Sequence, residues 1–160
     1  MLRETEFIRY AQGYTDTVFR VALNALGSGA DAEDVTQNVF EKLLKEKKPF
    51  RSDDHVKAWL IRVAINECRN LTRSKWWHTQ SFEDYAATLT FDNPAHSDLF
   101  YAVMSLPEKY RLPIYLHYYE GYSTQELAAI LRLPKNTVCS RLKRGRERLK
   151  TLLTEVEQSV

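Results

Sequence analysis

The sequence predicts an all-α fold of two small helical domains joined by a flexible linker. Three observations point there. Apolar residues recur at helical spacing along most of the chain, and no segment alternates convincingly as a strand. Only five Gly and five Pro occur in 160 residues, too few for a turn-rich β protein. Residues 75–95 lose the period and contain Asn93-Pro94, a turn signal. The predicted boundaries are 1–75 for the first domain, 76–95 for the linker and 96–160 for the second domain.

The first helix runs to about Leu26, with Val18, Val21, Ala22 and Ala25 on one side and Gly27 and Gly29 as its stop. Asp31 reads as the N-cap of the second helix, and Glu33 and Asp34 sit in its first turn, where carboxylates suit the helix dipole. Its apolar stripe is Val35, Val39, Leu43 and Leu44, and it ends near Lys45. KKPFRSDD (residues 47–54) is a loop: Pro49 breaks the helix, and Ser52 or Asp53 caps the next one. That third helix spans about 54–74. Val56, Trp59, Leu60, Val63, Cys68 and Leu71 mark its buried face, and Arg62, Asn66, Arg69, Asn70 and Arg73 project together from the other.

Helices resume at about 95–105 and 108–120. Pro107 lies near the start of the second of these, Pro113 inside it predicts a kink or an early boundary, and Gly121 ends it. Ser123-Thr124-Gln125-Glu126 is a capping box opening a short apolar helix with Leu127, Ala128, Ile130 and Leu131. Arg132 to Asn136 is a brief turn. A last helix starts near Thr137, with Val138, Leu142, Gly145, Leu149 and Leu152 inward. Gly145 is expected to let this helix and the capped one approach closely. Cys139, Ser140, Lys143, Arg144 and Glu147 point outward, with Arg141 and Arg146 on the flanks.

Charge is distributed unevenly. The net charge is only +2, yet from Arg132 to Lys150 eight basic residues face a single acid, Glu147. Residues 51–78 form a second basic block, and residues 79–100 carry four acids and no Lys or Arg. Two basic blocks flanking an acidic segment suggest two modules on one polyanion. Short helix, tight turn and basic amphipathic helix form the helix-turn-helix pattern, whose second helix fits the major groove. A basic amphipathic helix alone would equally suit a solvated face or a membrane surface; the capped helix before it favours DNA.

Other classes lack their signatures. No P-loop, G-x-S-x-G or HExxH occurs, and His55, His78, His96 and His117 are scattered singly. Cys68 and Cys139 lie far apart and suggest neither a disulfide framework nor a metal site. An enzymatic role, a metal and a cofactor are therefore not expected. The N-terminal residues lack a long apolar run, and no window approaches the ~18 apolar residues of a membrane span, so a cytoplasmic protein is expected. The competing DNA-binding class is a repressor that dimerises through residues 1–90 and binds a palindrome.

DAEDVTQNVFEKLLK (31–45), AWLIRVAINECRN (58–70), LPEKYRLPIYLHYYEGYSTQELAAIL (106–131) and LPKNTVCSRLKRGRERL (133–149) together resemble regions two and four of extracytoplasmic-function sigma factors. The resemblance covers nearly the whole chain except the linker. It implies a bacterial sigma subunit that binds core RNA polymerase and directs it to promoters. Its implied contacts are the β′ clamp helices and the β flap, with a cognate anti-sigma factor, often membrane-bound, in an envelope or extracellular stress response. Asp34, Gln37, Asn38 and Glu41 fall where the family docks on the clamp. Phe50, Arg51 and Ser52 fall in the loop that captures a flipped base, and Arg62, Asn66, Arg69, Asn70 and Arg73 on the helix that reads the −10 element. Lys135, Asn136, Thr137, Cys139, Ser140, Arg141, Lys143, Arg144 and Arg146 fall where the family meets the −35 element. Many relatives carry Arg where this chain has Cys139, so a direct contact is missing there. Trp76 and Trp77 pack the domain's end or stack on DNA, with packing favoured because aromatics mostly carry buried area.

Overall fold

The computed structural model of the chain describes residues 2–73 and 94–158, all helical or in short connections, with no strand among the described residues. It divides into two compact units, one within Met1–Ser81 and one within Phe82–Val160. Trp76, Trp77 and the acidic stretch up to Asn93 lie outside the described residues.

The first unit packs three helices on one another: α1 (Glu4–Leu26), α2 (Gly29–Lys45) and α3 (Asp53–Thr72). α1 ends because Gly27 turns left-handed (φ 71°) and its N–H bonds the Leu23 carbonyl at 2.8 Å. The cap of α2 is Ser28 rather than Asp31. Ser28 is extended, and its Oγ accepts the Asp31 N–H at 3.3 Å. Gly29 therefore opens a helix instead of closing one, and Asp31 joins the first turn. For α3 the cap is Ser52, whose Oγ accepts the His55 N–H at 3.1 Å. Lys42 and Lys45 at the end of α2, and Asp53 and Asp54 at the start of α3, each sit at the helix end whose partial charge favours them.

The core joins Val18, Val21, Ala22 and Leu26 to Ala32, Val35, Val39 and Leu43 and to Val56, Leu60, Ile61, Ala64, Ile65 and Cys68. Two expectations shift. Leu44 is 46% exposed, because α2's buried stripe runs through Leu43, Val39 and Val35 and Leu44 lies a helical step of about 100° off it. On α3, Trp59, Val63 and Leu71 are only half-buried, whereas Ile61, Ala64 and Ile65 are fully buried. α3 packs against both α1 and α2, so its buried face takes in Ile61, Ala64 and Ile65, which the single stripe read from the sequence left out. At the surface Arg9 of α1 pairs with Asp53 at 3.0 Å, and Lys42 of α2 pairs with Glu67 of α3.

The second unit contains α4 (Pro94–Met104), α5 (Glu108–Ile114), a π-helical turn that continues α5 through Tyr115–Tyr119, α6 (Thr124–Leu131) and α7 (Lys135–Gln158). α4, α5 and α6 all pack on α7. Arg111 is buried, and its guanidinium donates to the carbonyls of Met104 (3.2 Å) and Leu106 (3.1 Å), closing the α4–α5 connection. Burial lowers its pKa from the usual arginine value, with Glu108 acting in the opposite direction. Pro113 lies at the early boundary: the α-helical spacing ends one residue after it, at Ile114. It lacks an N–H, and the turn after it widens to π spacing, with the Glu120 N–H on the Tyr115 carbonyl at 3.2 Å, before Gly121 (φ 81°) stops it.

The capping box at Ser123 forms in full: its Oγ accepts the Glu126 N–H, and Glu126 accepts the Ser123 N–H, both at 3.1 Å. α6 ends on Arg132, left-handed at φ 56°, with the Leu133 N–H on the Ala128 carbonyl at 3.0 Å. α7 then begins at Lys135, not near Thr137, since Pro134 already accepts the Val138 N–H at 3.1 Å. Lys135 and Asn136 belong to its first turn. Gly145 allows close approach to a different helix from the one expected. A Cβ there would meet Ile114 Cγ1 at 2.9 Å and Tyr110 Cβ at 3.4 Å, both on α5.

Candidate nucleic-acid interface

Each unit carries one outward cationic stripe, and the capped helices described above aim both. On α3, His55, Trp59, Arg62, Asn66, Arg69 and Arg73 recur at helical spacing, and Asn70 lies beside them. All fall within about 60° of one line, which runs about 27 Å along the rod. Arg62, Asn70 and Arg73 are exposed; Asn66 and Arg69 are half-buried. The loop before α3 closes the N-terminal end of this line. The Phe50 ring stands edge-on to His55 (5.2 Å) and Trp59 (5.6 Å). These three, with Glu46, Lys48, Pro49 and Arg51, line an open cleft of about 690 Å³. The Arg51 N–H donates to His55 Nδ1 at 3.0 Å, which fixes the ring's orientation. Ser52 is committed to capping α3, so its hydroxyl serves the loop's shape. Such a cleft offers flat aromatic faces for a nucleobase and cations for its phosphates.

His55 and Trp59 were not singled out by sequence as members of this surface. His55 read as a scattered surface residue and Trp59 as core. The available signal was their i, i+4 spacing on the same stripe as Arg62, close in sequence to Phe50.

On α2 of the same unit, Asp34, Gln37, Asn38 and Glu41 are all exposed on one face, opposite the apolar stripe. They are spatially separate from the buried residues of that helix and form an acidic and amide surface.

In the second unit, Lys135, Asn136, Cys139, Ser140, Lys143, Arg144 and Arg146 are exposed on α7, while Thr137 and Arg141 are half-buried. The helix stands on α6 through Val138 and Leu142, both essentially inaccessible. Further along, Arg144 and Tyr110 line one cleft, and Arg148 lies over the Tyr110 ring at 4.8 Å. Burial alone would raise the Tyr110 phenol, but the cations Lys109, Arg144 and Arg148 bring it below its ordinary value. Arg146 donates to the Tyr118 hydroxyl at 3.0 Å. Neither tyrosine was expected from the sequence. Among the described residues no group of three His, Cys, Asp or Glu is placed to hold a metal, and no helix is long and apolar enough to cross a membrane.

Two helical units, each with a cationic helical stripe and the second built on a helix-turn-helix, have the form of a DNA-binding protein. The comparisons narrow this. The Sigma-70 region 2 family pattern matches residues 11–78, and that of Sigma-70, region 4 matches residues 97–149. The ECF RNA polymerase sigma-E factor of Escherichia coli (strain K12) is 32% identical over 135 residues, covering 73% of this chain and 71% of that protein. The ECF RNA polymerase sigma factor SigE of Mycolicibacterium smegmatis is 30% identical over 153 residues, covering 89% of this chain and 59% of that protein. Among solved structures, the sigma factor RpoE of Bartonella quintana, crystallised with the anti-sigma factor NepR, superposes with a TM-score of 0.67 at 24% identity over 93% of this chain and 97% of that one. CnrH, solved with the cytosolic domain of CnrY, gives 0.60 at 25% identity over 96% and 90%. The chain belongs to the ECF sigma factors of RNA polymerase, with sigma-70 region 2 in its first unit and region 4 in its second.

Proposed function

We propose that this chain binds core RNA polymerase and brings two cationic surfaces to one promoter, so that the enzyme starts transcription there. The observation that carries this is the pairing of an outward basic stripe on α3 with a second one on α7, in the order of the two family regions. Residues 1–75 serve as region 2, 76–95 as linker and 96–160 as region 4. The exposed α2 face, Asp34, Gln37, Asn38 and Glu41, docks on the β′ clamp helices, and region 4 meets the β flap. The Phe50 cleft and the α3 stripe take the separated −10 strand: aromatic faces stack an extruded base, and Arg62, Arg69 and Arg73 neutralise phosphates while Asn66 and Asn70 pair with base edges. The exposed face of α7 enters the major groove at the −35 element, where Ser140 and Arg144 meet bases and Lys143 and Arg146 the backbone. The bond-making chemistry belongs to the polymerase.

The protein acts in the cytoplasm, where the polymerase and DNA are. An anti-sigma factor, membrane-anchored in the simplest case, masks these surfaces until an envelope or extracellular stress releases them. Support comes from CnrH, which was solved bound to the cytosolic domain of another protein. The test is run-off transcription with purified core polymerase on genomic fragments, followed by mapping of starts. Starts that need both chain and core, each preceded by two spaced elements, support the proposal. Tight binding to a palindrome without core, and no starts with it, would refute it in favour of a repressor.

A further inference from the structure

Resting on the −35 assignment of α7 above, we propose that Tyr118, on the π-helical turn after α5, is a positioning residue that holds Arg146 for a phosphate of the upstream DNA. Gly145 is where α5 crosses α7, since Ile114 lies against it closer than any side chain would permit. Arg144 and Arg146 leave α7 on either side of that crossing. Each has a tyrosine of the crossing segment beside it: Tyr110, four residues before Ile114, shares a cleft with Arg144, and Tyr118, four residues after it, accepts from Arg146 at 3.0 Å.

Tyr118 is itself held. Its ring stands edge-on to His117 at 4.8 Å, and His117 Nδ1 is anchored to the Tyr122 carbonyl at 2.6 Å. The wide turn after Pro113 sets the direction of these side chains. Arg146 lies within about 60° of Cys139, Lys143 and Lys150 on the helix, so the bond holds the guanidinium along a basic flank rather than in the core. Tyr118 is 56% exposed, so the hydroxyl contributes little to packing. An arginine otherwise loses considerable rotamer freedom on gripping a phosphate; a pre-set guanidinium loses less. A phosphate contact carries no base information, so the effect is sequence-independent.

The experiment measures binding of the holoenzyme, this chain with core polymerase, to a promoter duplex from the run-off mapping and to single-base variants of its upstream element. Tyr118→Phe is expected to weaken binding by about three- to tenfold on every variant alike, and to weaken it little further in an Arg146→Ala background. Wild-type affinity for Tyr118→Phe beside a weakened Arg146→Ala would overturn the brace alone. So would a loss that persists undiminished in the Arg146→Ala background, which is what a general loss of stability would give. If Arg144→Ala and Arg146→Ala both bind as wild type, the −35 assignment of α7 fails, and the brace with it.

Discussion

The same substitution at two helical glycines has different expected effects, and the difference can be worked from the packing. Gly13 lies at an exposed position of α1 with nothing within 4 Å of where a Cβ would stand. Gly13→Ala therefore gains helix propensity without a clash and should stabilise the protein by about 0.5–1 kcal/mol. Gly145→Ala gains the same propensity. However, its methyl would arrive 2.9 Å from Ile114 Cγ1 and 3.1 Å from Cδ1, with Tyr110 Cβ at 3.4 Å. Cγ1 is not a free chain end, and Ile114 is only 5% exposed, so relief requires α5 to move off α7. Overpacking of this kind costs about 1–3 kcal/mol, which cancels or exceeds the gain. Gly145→Ala should thus be less stable than Gly13→Ala by about 1–3 kcal/mol. Urea unfolding of the full chain, followed by helical circular dichroism, measures both. Equal stabilisation by the two changes would refute the close crossing of α5 and α7 and the placement of the flanking arginines derived from it.

Other expected outcomes are more local. Ser123→Ala removes one half of the capping box and should cost about 1 kcal/mol, seen as an earlier urea transition. Arg144→Ala should weaken binding at the upstream element by about 1–3 kcal/mol and relax base preference there, whereas an unchanged footprint would remove it from the interface. Phe50→Ala should slow open-complex formation while core polymerase still binds, since it removes a face of the aromatic cleft worth about 1–3 kcal/mol of stacking; normal opening would argue against base capture. Asn66→Ala should impair the downstream element in the same assay without loss of polymerase binding.

Much of this was readable from residues because it is local. The Ser123 capping box needs four consecutive residues and formed as expected; Gly27 and Gly121 stop their helices for reasons contained in one φ angle each. Errors arose where tertiary packing decides. Leu44 and Trp59 are large and apolar and were expected inside, but the inner faces of α2 and α3 are set by which neighbours they meet. Gly145 is a point of close approach, as its inward place on α7 suggests, yet its partner is α5, a choice no local pattern encodes. The Arg146–Tyr118 bond spans 28 residues, so nothing in the recognition helix announces it. The Phe50 cleft is half legible: the loop aromatic is evident in the sequence, but His55 and Trp59 join it through the folding of the loop back against α3.

Whether two surfaces on one chain engage one promoter is tested most directly by footprinting the holoenzyme on a mapped promoter. Neutralising Arg62, Arg69 and Arg73 together should erase protection of the downstream element and leave the upstream one, and Arg144→Ala should do the reverse. A single protected patch that both sets of changes abolish together, or protection that does not require core polymerase, would contradict the account.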